Sequence, residues 1–209
     1  ARSDPSALAL VRDDLLSGIA TTIDTKFVSS DAVSAGVSPA GLQTYDSSST
    51  ASSGDTLDNI MTDLKAAVSG LTSINMPMQR PVWLMNSARV NTLRFIRDGL
   101  GQYAFRDEIN QGMLAGYPII ESNTITATVV MLVDASQVII ASELAPEISI
   151  SSDASLHMED TTVAEDIGGS TSVVQSMFQI DSTAVKAVTR LDWGVRYANC
   201  VQVLTSCTW

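Results

Sequence analysis

The chain has 209 residues, of which 45% are apolar and 17% are charged, a composition typical of a globular protein. Its formal net charge of −11 argues against a protein that grips phosphate backbones, because that task requires clustered lysine and arginine. The apolar runs are far shorter than the roughly 20 residues that cross a bilayer. We therefore expect no membrane partner and no sequence-specific nucleic-acid binding.

A long helix is predicted over residues 4–27. Asp4 is placed to cap it, Pro5 takes the first helical position, and apolar residues recur at intervals of three or four up to Ile23. This apolar stripe is expected to be a packing face. Because the helix begins almost at residue 1, we expect the chain to be truncated at its N-terminus.

The next segment is poor in regular patterns. Residues 29–54 are rich in Ser, Ala, Gly and Thr, and the run Asp46–Gly54 reads as a flexible linker and a lobe boundary. A second helix is then predicted to begin with Asp55 as its cap and Asp58 completing a capping box. Its apolar positions follow the helical period to Leu71, so it should pack on a nearby sheet.

The stretch Met76–Ser122 carries the densest local signals. It predicts a buried strand at Val82–Met85, a helix that opens at Asn86 or Ser87, and a glycine stop at Gly99 and Gly101. The start of a second strand is predicted at Gly116, Tyr117 and Pro118.

The helix after Asn86 places two arginines, Arg89 and Arg97, in its apolar quadrant with Leu93. Because an unpaired buried charge is costly, these side chains either reach the rim of the core or meet carboxylates, within the chain or on a neighbouring subunit. Basic and acidic clusters on one small protein suit self-association. The candidate subunit-contact residues are Arg89, Arg94, Arg97, Arg106, Asp153, Glu159 and Asp160.

In the C-terminal half, short β-branched runs separated by turn residues predict antiparallel strands. Residues 153–172 read as a loop, and strict alternation over 185–197 predicts one long half-buried strand. A last short strand contains Val201 and Val203. The earlier strands are predicted at 119–121, 128–133, 137–141 and 147–151.

Residues with catalytic or metal-binding potential are few. His157 is the only histidine, no nucleophile elbow accompanies it, and no phosphate-binding glycine loop is present. Cys200 and Cys207 form no disulfide framework and no zinc site. The acidic residues of 153–166 do not have the spacing of a calcium-binding loop. These acidic residues are Asp153, Glu159, Asp160, Glu165 and Asp166. From all of these observations we expect no metal, no cofactor and no catalytic residue.

Several segments together resemble the major capsid proteins of tailed bacteriophages, whose shell fold is shared with encapsulins. The matching segments are V-W-L-M-N-S-A-R at 82–89, D-G-L-G-Q-Y at 98–103, G-M-L-A-G-Y-P-I-I-E-S at 112–122, A-V-T-R-L-D-W-G-V-R at 187–196 and G-V-S-P-A-G-L at 36–42. The residues that we expect to define the fold are Trp83, Asn86, Gly101, Tyr103, Gly116, Tyr117 and Pro118.

The resemblance implies an α+β phage capsid fold with two lobes. The peripheral lobe, with the long spine helix and long strands, would comprise residues 1–42 and 145–197. The axial lobe, with an antiparallel or mixed sheet and helices, would comprise residues 43–144 and 198–209. The family's N-terminal arm and extended loop have no counterpart in this sequence.

The resemblance also implies a function. It predicts a non-enzymatic structural subunit of an icosahedral phage or prophage head that encloses the genome. Its partners would be copies of itself, as pentamers and hexamers, and other head proteins; it would reside in the virion head and, during assembly, in the bacterial host cytoplasm. Two alternatives stay open, an encapsulin-like protein compartment and a hydrolase related to maturation proteases.

Overall fold

The computed structural model describes residues 5–46, 49–143, 146–157 and 174–209. Helices and strands mix along the chain, which confirms the predicted α+β class. The helices of the described part are α1 (Pro5–Phe27), α2 (Leu57–Ser73), α3 (Ser87–Phe95) and α4 (Arg106–Asn110). Its strands are β1 (Thr50–Ala51), β2 (Pro81–Met85), β3 (Met113–Leu114), β4 (Tyr117–Glu121), β5 (Val130–Asp134), β6 (Val138–Ser142), β7 (Glu147–Ser151), β8 (Ser155–His157), β9 (Val174–Ser176), β10 (Ala184–Val188), β11 (Leu191–Val195) and β12 (Val201–Thr205).

Helix α1 ends where the apolar period predicts, at Phe27. Its stripe is covered only in part, since Leu15, Ile19 and Ile23 are half-buried and Val11 is exposed. No residue of α1 with a described side chain is fully buried. In the described chain, therefore, this helix presents much of its packing face to solvent.

Helix α2 begins one residue later than predicted, and the predicted capping box is wrong. Thr56 is the N-cap, and its hydroxyl accepts a hydrogen bond from the main-chain N–H of Asn59 at 3.4 Å. The carboxylate of Asp55 instead accepts the hydroxyl of Thr208. Aspartate and threonine can both cap a helix. The Asp55 carboxylate, however, is bonded to Thr208, near the other end of the chain.

The largest sheet has the strand order β1-β12-β5-β2-β4-β3. The sheet is mixed, one of the two arrangements expected for it: β4, whose residues were predicted to belong to an antiparallel region, runs parallel to β2 with Trp83 opposite Ile119. Strand β5 pairs antiparallel to both neighbours and is buried along its whole length. A continuous apolar run of this kind is what a central strand covered on both faces requires.

Two apolar clusters cover the two faces of this sheet. Successive strand residues point to opposite faces, so Val130 and Leu132 join one cluster while Met131 and Val133 join the other. The first cluster is closed by the apolar face of α2, which confirms the prediction that this helix packs on the sheet containing Val82–Met85.

The described residues of the expected linker at Asp46–Gly54 are held by specific contacts, which corrects the linker prediction for them. Thr50 and Ala51 form β1, parallel to β12. The Ser52 hydroxyl and the Ser53 main-chain N–H then donate to the buried carboxylate of Asp63, at 2.7 and 3.0 Å. Small polar residues that looked featureless in sequence thus satisfy a buried charge.

The long strand predicted over 185–197 is two strands. Strand β10 pairs with β7, and β11 lies in a separate two-stranded sheet with β6. The break lies at Thr189 and Arg190, where the Arg190 guanidinium pairs with the Glu143 carboxylate at 3.1 Å. The alternation of apolar and polar residues predicts which face of the sheet a side chain occupies, but it does not predict which strand the backbone pairs with.

The described residues separate into two compact units. One lies within 1–19 and 142–190, and the other lies within 20–141 and 191–209. The second contains the six-stranded sheet and both apolar clusters. In the part of the chain that the structure describes, none of the helices has the length and apolar character needed to traverse a lipid bilayer.

Candidate functional site

Residues 95–106, called here the 95–106 hairpin, form an exposed segment of the second unit in which Phe105 is the one buried residue. Helix α3 ends at Phe95, so the predicted glycine stop at Gly99 and Gly101 is wrong by several residues. The chain becomes extended at Ile96, and the main-chain N–H of Ala104 donates to the Ile96 oxygen at 3.0 Å. The two glycines serve the turn that follows the helix.

Asp98 holds this turn. Its Oδ1 accepts the main-chain N–H groups of Leu100 and Gln102 at 2.9 and 2.8 Å, while the N–H of Gly101 donates to the Asp98 main-chain oxygen. Gly101 has φ of 82°, a conformation that glycine adopts without steric cost. The D-x-x-G spacing therefore specifies a rigid four-residue turn.

Tyr103 lies between two arginines. The guanidinium carbon of Arg97 is 4.9 Å from the ring centroid, and that of Arg106 is 4.7 Å from it. Arg97 also donates to the Tyr103 hydroxyl at 3.1 Å. These cation–π contacts hold two predicted contact residues on one surface. Among the described residues neither arginine forms a salt bridge, so both remain available to an external anion.

Two apolar side chains are exposed on the same hairpin. Leu100, at the turn, is 86% exposed, and Phe95, at its base, is 69% exposed. Neither residue was among the subunit-contact candidates predicted from the sequence. The signal was present for Leu100, since an apolar residue between two glycines in a tight turn has no core to enter.

Arg89 and Arg94 have a different environment. Arg89 donates from Nη1 to the main-chain oxygen of Trp209 at 2.9 Å, and Arg94 donates to the side chain of Asn91 at 3.2 Å. Both are half-buried, and the Nε of each is buried without a hydrogen-bond partner. The structure thus gives Arg89 an internal partner 120 positions away in the chain.

A groove lies along the exposed side of α2, in the same unit as the hairpin. We call it the α2 groove; its volume is about 680 Å³. Asp58 and Glu108 contribute carboxylates to its lining, and Lys65 contributes one ammonium group. Met61, which its spacing predicted to be apolar core, is 54% exposed here. Other lining residues are Leu64, Val68, Phe105 and Tyr117.

Trp83, Asn86 and Gly116 occupy defined structural positions. Trp83 is fully buried in β2, and Asn86 caps α3 by accepting the Ala88 N–H at 2.9 Å. The hairpin between β3 and β4 turns at Ala115 and Gly116, both with positive φ, as in a two-residue primed turn. Burial, helix capping and turn geometry therefore explain these three motif residues, and no catalytic role is needed to explain them.

Tyr117 and Pro118 follow that turn directly as the first residues of β4. Pro118 stands opposite Met113 of the short edge strand β3. Proline is tolerated there because the N–H of the next residue, Ile119, makes the bond toward β3, to the Gly112 oxygen, and the pairing of β4 with β2 begins only at Ile119.

The acidic candidates are only partly within the described residues. Asp153 is exposed in the turn before β8. Glu159, Asp160, Glu165 and Asp166 lie outside the described residues, and so does most of the loop predicted over 153–172. The first described residues after β7 show one departure from that prediction, because 155–157 form a strand that includes the backbone of His157.

Across the described residues, no group of three or more His, Cys, Asp or Glu side chains is placed to hold a metal ion. Both cysteines are free and buried. Burial raises the pKa of Cys200 to about 11 and that of Cys207 to about 12, and the Asp63 carboxylate adds to the second shift. Neither thiol is therefore a thiolate at neutral pH, the form that a nucleophile needs.

The sequence matches a known protein family. A family model described as "Phage capsid family" matches residues 3–206. A "Capsid polyprotein" of Pseudomonas phage PAJU2 is 30% identical over 213 aligned residues, which include 99% of this chain and 32% of that protein. The chain therefore spans about a third of the length of this relative.

Solved structures share the fold. A structure titled "Mycobacterium phage Adephagia" superposes with a TM-score of 0.70 at 16% identity, covering 100% of this chain and 67% of that one. A structure titled "Capsid of empty GTA particle computed with C5 symmetry" gives 0.65 at 15% identity, covering 96% and 66%. At these identities the likeness establishes the fold, and it confirms the capsid fold expected from the sequence motifs.

Proposed function

This chain belongs to the phage capsid family, and from that membership we propose that it acts as a non-enzymatic structural subunit of a phage or prophage head. The observation that carries the proposal is the family match over residues 3–206. The name of the relative, capsid polyprotein, supports the head over an encapsulin-like compartment or a hydrolase. The subunit would reside in the virion head and assemble in the host cytoplasm.

The partners in this proposal are copies of the same chain, arranged as pentamers and hexamers, and other head proteins. One structural neighbour is titled as a capsid computed with C5 symmetry, which is a fivefold arrangement of that protein. Oligomers with closed symmetry reuse one pair of surfaces at every contact. A subunit of such a shell must therefore expose both surfaces of this pair before it assembles.

The arginines and carboxylates fit this role as subunit contacts. Arg97 and Arg106 carry the proposal, because they are exposed, preorganised by Tyr103 and free of salt bridges among the described residues. Charged groups across an interface fix register and exclude wrong partners. The other residues that we propose for such contacts are Arg89, Arg94, Asp153, Glu159 and Asp160.

The two-lobe assignment also belongs to the proposal. The axial lobe would comprise 43–144 and 198–209, near the ring axis, and the peripheral lobe would comprise 1–42 and 145–197. An acidic inner wall suits a shell that encloses DNA, since a basic wall would bind the packaged genome. The net charge of −11 supports this reading.

Electron microscopy of the full gene product tests the assembly function. Closed shells are expected when the protein is expressed, and persistent monomers at all concentrations and salt conditions would overturn the assignment. A second assay measures DNA binding at low and high salt. Binding is expected to be weak, and tight salt-sensitive binding would contradict the proposed inner wall.

A further inference from the structure

We propose that the tip of the 95–106 hairpin of one copy docks into the α2 groove of a neighbouring copy. The proposal rests on the shell function above and names the contact that would build it. Both surfaces belong to the second compact unit, so every copy carries one hairpin and one groove.

The hairpin has the properties of a binding element. Its apolar side chains, Leu100 and Phe95, are 86% and 69% exposed. Exposing apolar side chains to water does not stabilise the folded chain, so their exposure favours a role in binding. Its backbone is fixed by the bonds to Asp98 and by the Ile96–Ala104 closure. A rigid element loses little conformational entropy on binding, which favours affinity.

The groove matches this element in shape and polarity. Its volume of about 680 Å³ lies within the roughly 300–1,000 Å³ typical of binding pockets. Leu64, Val68 and Met61 provide apolar surface for a leucine side chain. The carboxylates of Asp58 and Glu108 provide anionic partners for Arg97 and Arg106 on an incoming hairpin.

One residue at the base of the hairpin, Phe105, lines the groove of its own chain, but the tip of the hairpin does not enter that groove. Leu100 is not among the residues that line the groove, and its 86% exposure leaves it without a local apolar partner. Two different surfaces that fit each other across copies make a head-to-tail contact. Such a contact repeats around a ring and closes when the rotation between copies is a whole fraction of a turn.

Complementation between two variants tests this contact. Leu100→Asp removes a functional tip and keeps the groove, whereas Met61→Asp damages the groove and keeps the tip. Both positions are exposed, so both variants are expected to fold, as circular dichroism would verify. Val37→Asp, at an 83% exposed apolar position outside both surfaces, is the matched control.

Sedimentation velocity of this chain measures the outcome. Each variant alone is expected to self-associate at least about tenfold more weakly than the unaltered chain. An equimolar mixture of the two is expected to form 1:1 dimers and no larger species, because only one intact tip and one intact groove can meet. Val37→Asp should associate like the unaltered chain.

Two results would overturn the inference. If the unaltered chain associates and both surface variants associate equally well, another surface builds the oligomer, while shells in the microscope would still support the proposed function. If the unaltered chain stays monomeric and the mixture forms no dimer, the contact does not exist. The absence of shells from the full gene product is the separate result that would refute the proposed function.

Discussion

The indole N–H of Trp83 donates to the main-chain oxygen of Leu114 across 3.0 Å, and both residues are fully buried. The bond joins β2 to the end of β3, two pieces of the motif stretch that lie 31 positions apart. It fixes the β3–β4 hairpin beside the central sheet. Trp83 therefore provides both apolar volume and a specific hydrogen-bond donor.

Replacing Trp83 with phenylalanine should separate these two contributions. Trp83→Phe keeps an aromatic ring but leaves the Leu114 oxygen without this donor, so the free energy of unfolding should fall by about 1–3 kcal/mol. Chemical denaturation measures the change. Tyr197→Phe, at a 53% exposed position, should stay within about 0.5 kcal/mol. Equal stability of Trp83→Phe and the unaltered chain would show that the bond is dispensable.

Asp134 should make stability depend on pH. Burial disfavours its carboxylate, but hydrogen bonds from Ser136 and from the Arg80 main-chain N–H outweigh burial and lower its pKa below the ordinary 3.8. A lowered folded pKa contributes stability above the unfolded value, and this stability is lost as the pH falls through the folded value.

The variant Asp134→Asn isolates this contribution. It should be less stable than the unaltered chain by about 1–3 kcal/mol at neutral pH, because a charged acceptor is lost. The difference should shrink as the pH falls below the unfolded value of 3.8. Urea denaturation at several pH values measures it, and a gap that stays constant with pH would contradict the assigned role of Asp134.

Gly41 and Gly18 should respond in opposite ways to alanine. A Cβ on Gly41 would stand 2.2 Å from the main-chain oxygen of Ser29, so Gly41→Ala must displace backbone and should lower the melting temperature. Gly18 lies inside α1 with nothing within 4 Å of its Cβ position. Gly18→Ala should therefore stabilise by roughly 0.5–1 kcal/mol. Similar melting temperatures for the two variants would refute the close approach at Gly41.

Charge reversal should distinguish Arg89 from Arg97. In Arg89→Glu a carboxylate would face the main-chain oxygen of Trp209, so the isolated chain should lose about 1–3 kcal/mol of stability. In Arg97→Glu an exposed cation is lost, so the fold should persist while self-association weakens. Thermal melts and sedimentation of both variants provide the comparison. Unfolding caused by Arg97→Glu would indicate an internal role instead.

The sequence by itself determined the elements whose signals are local. The period of apolar residues predicted the end of α1 and the core face of α2, and Asn86 identified the start of α3 through a side chain that caps its own helix. The segment D-G-L-G-Q-Y at 98–103, which resembles a capsid-family segment, contains the turn at 98–101. These features follow from interactions within a few residues, which a sequence records directly.

Tertiary structure alone decided the rest, because it depends on which distant groups meet. Thr56 caps α2 while the neighbouring Asp55 bonds to Thr208, and β4 runs parallel to β2, a direction that its residues do not specify. Arg89 finds its partner at Trp209. Local pattern fixes which face of an element is apolar, but burial and backbone pairing across the chain decide what covers that face and leave Leu100 and Met61 exposed.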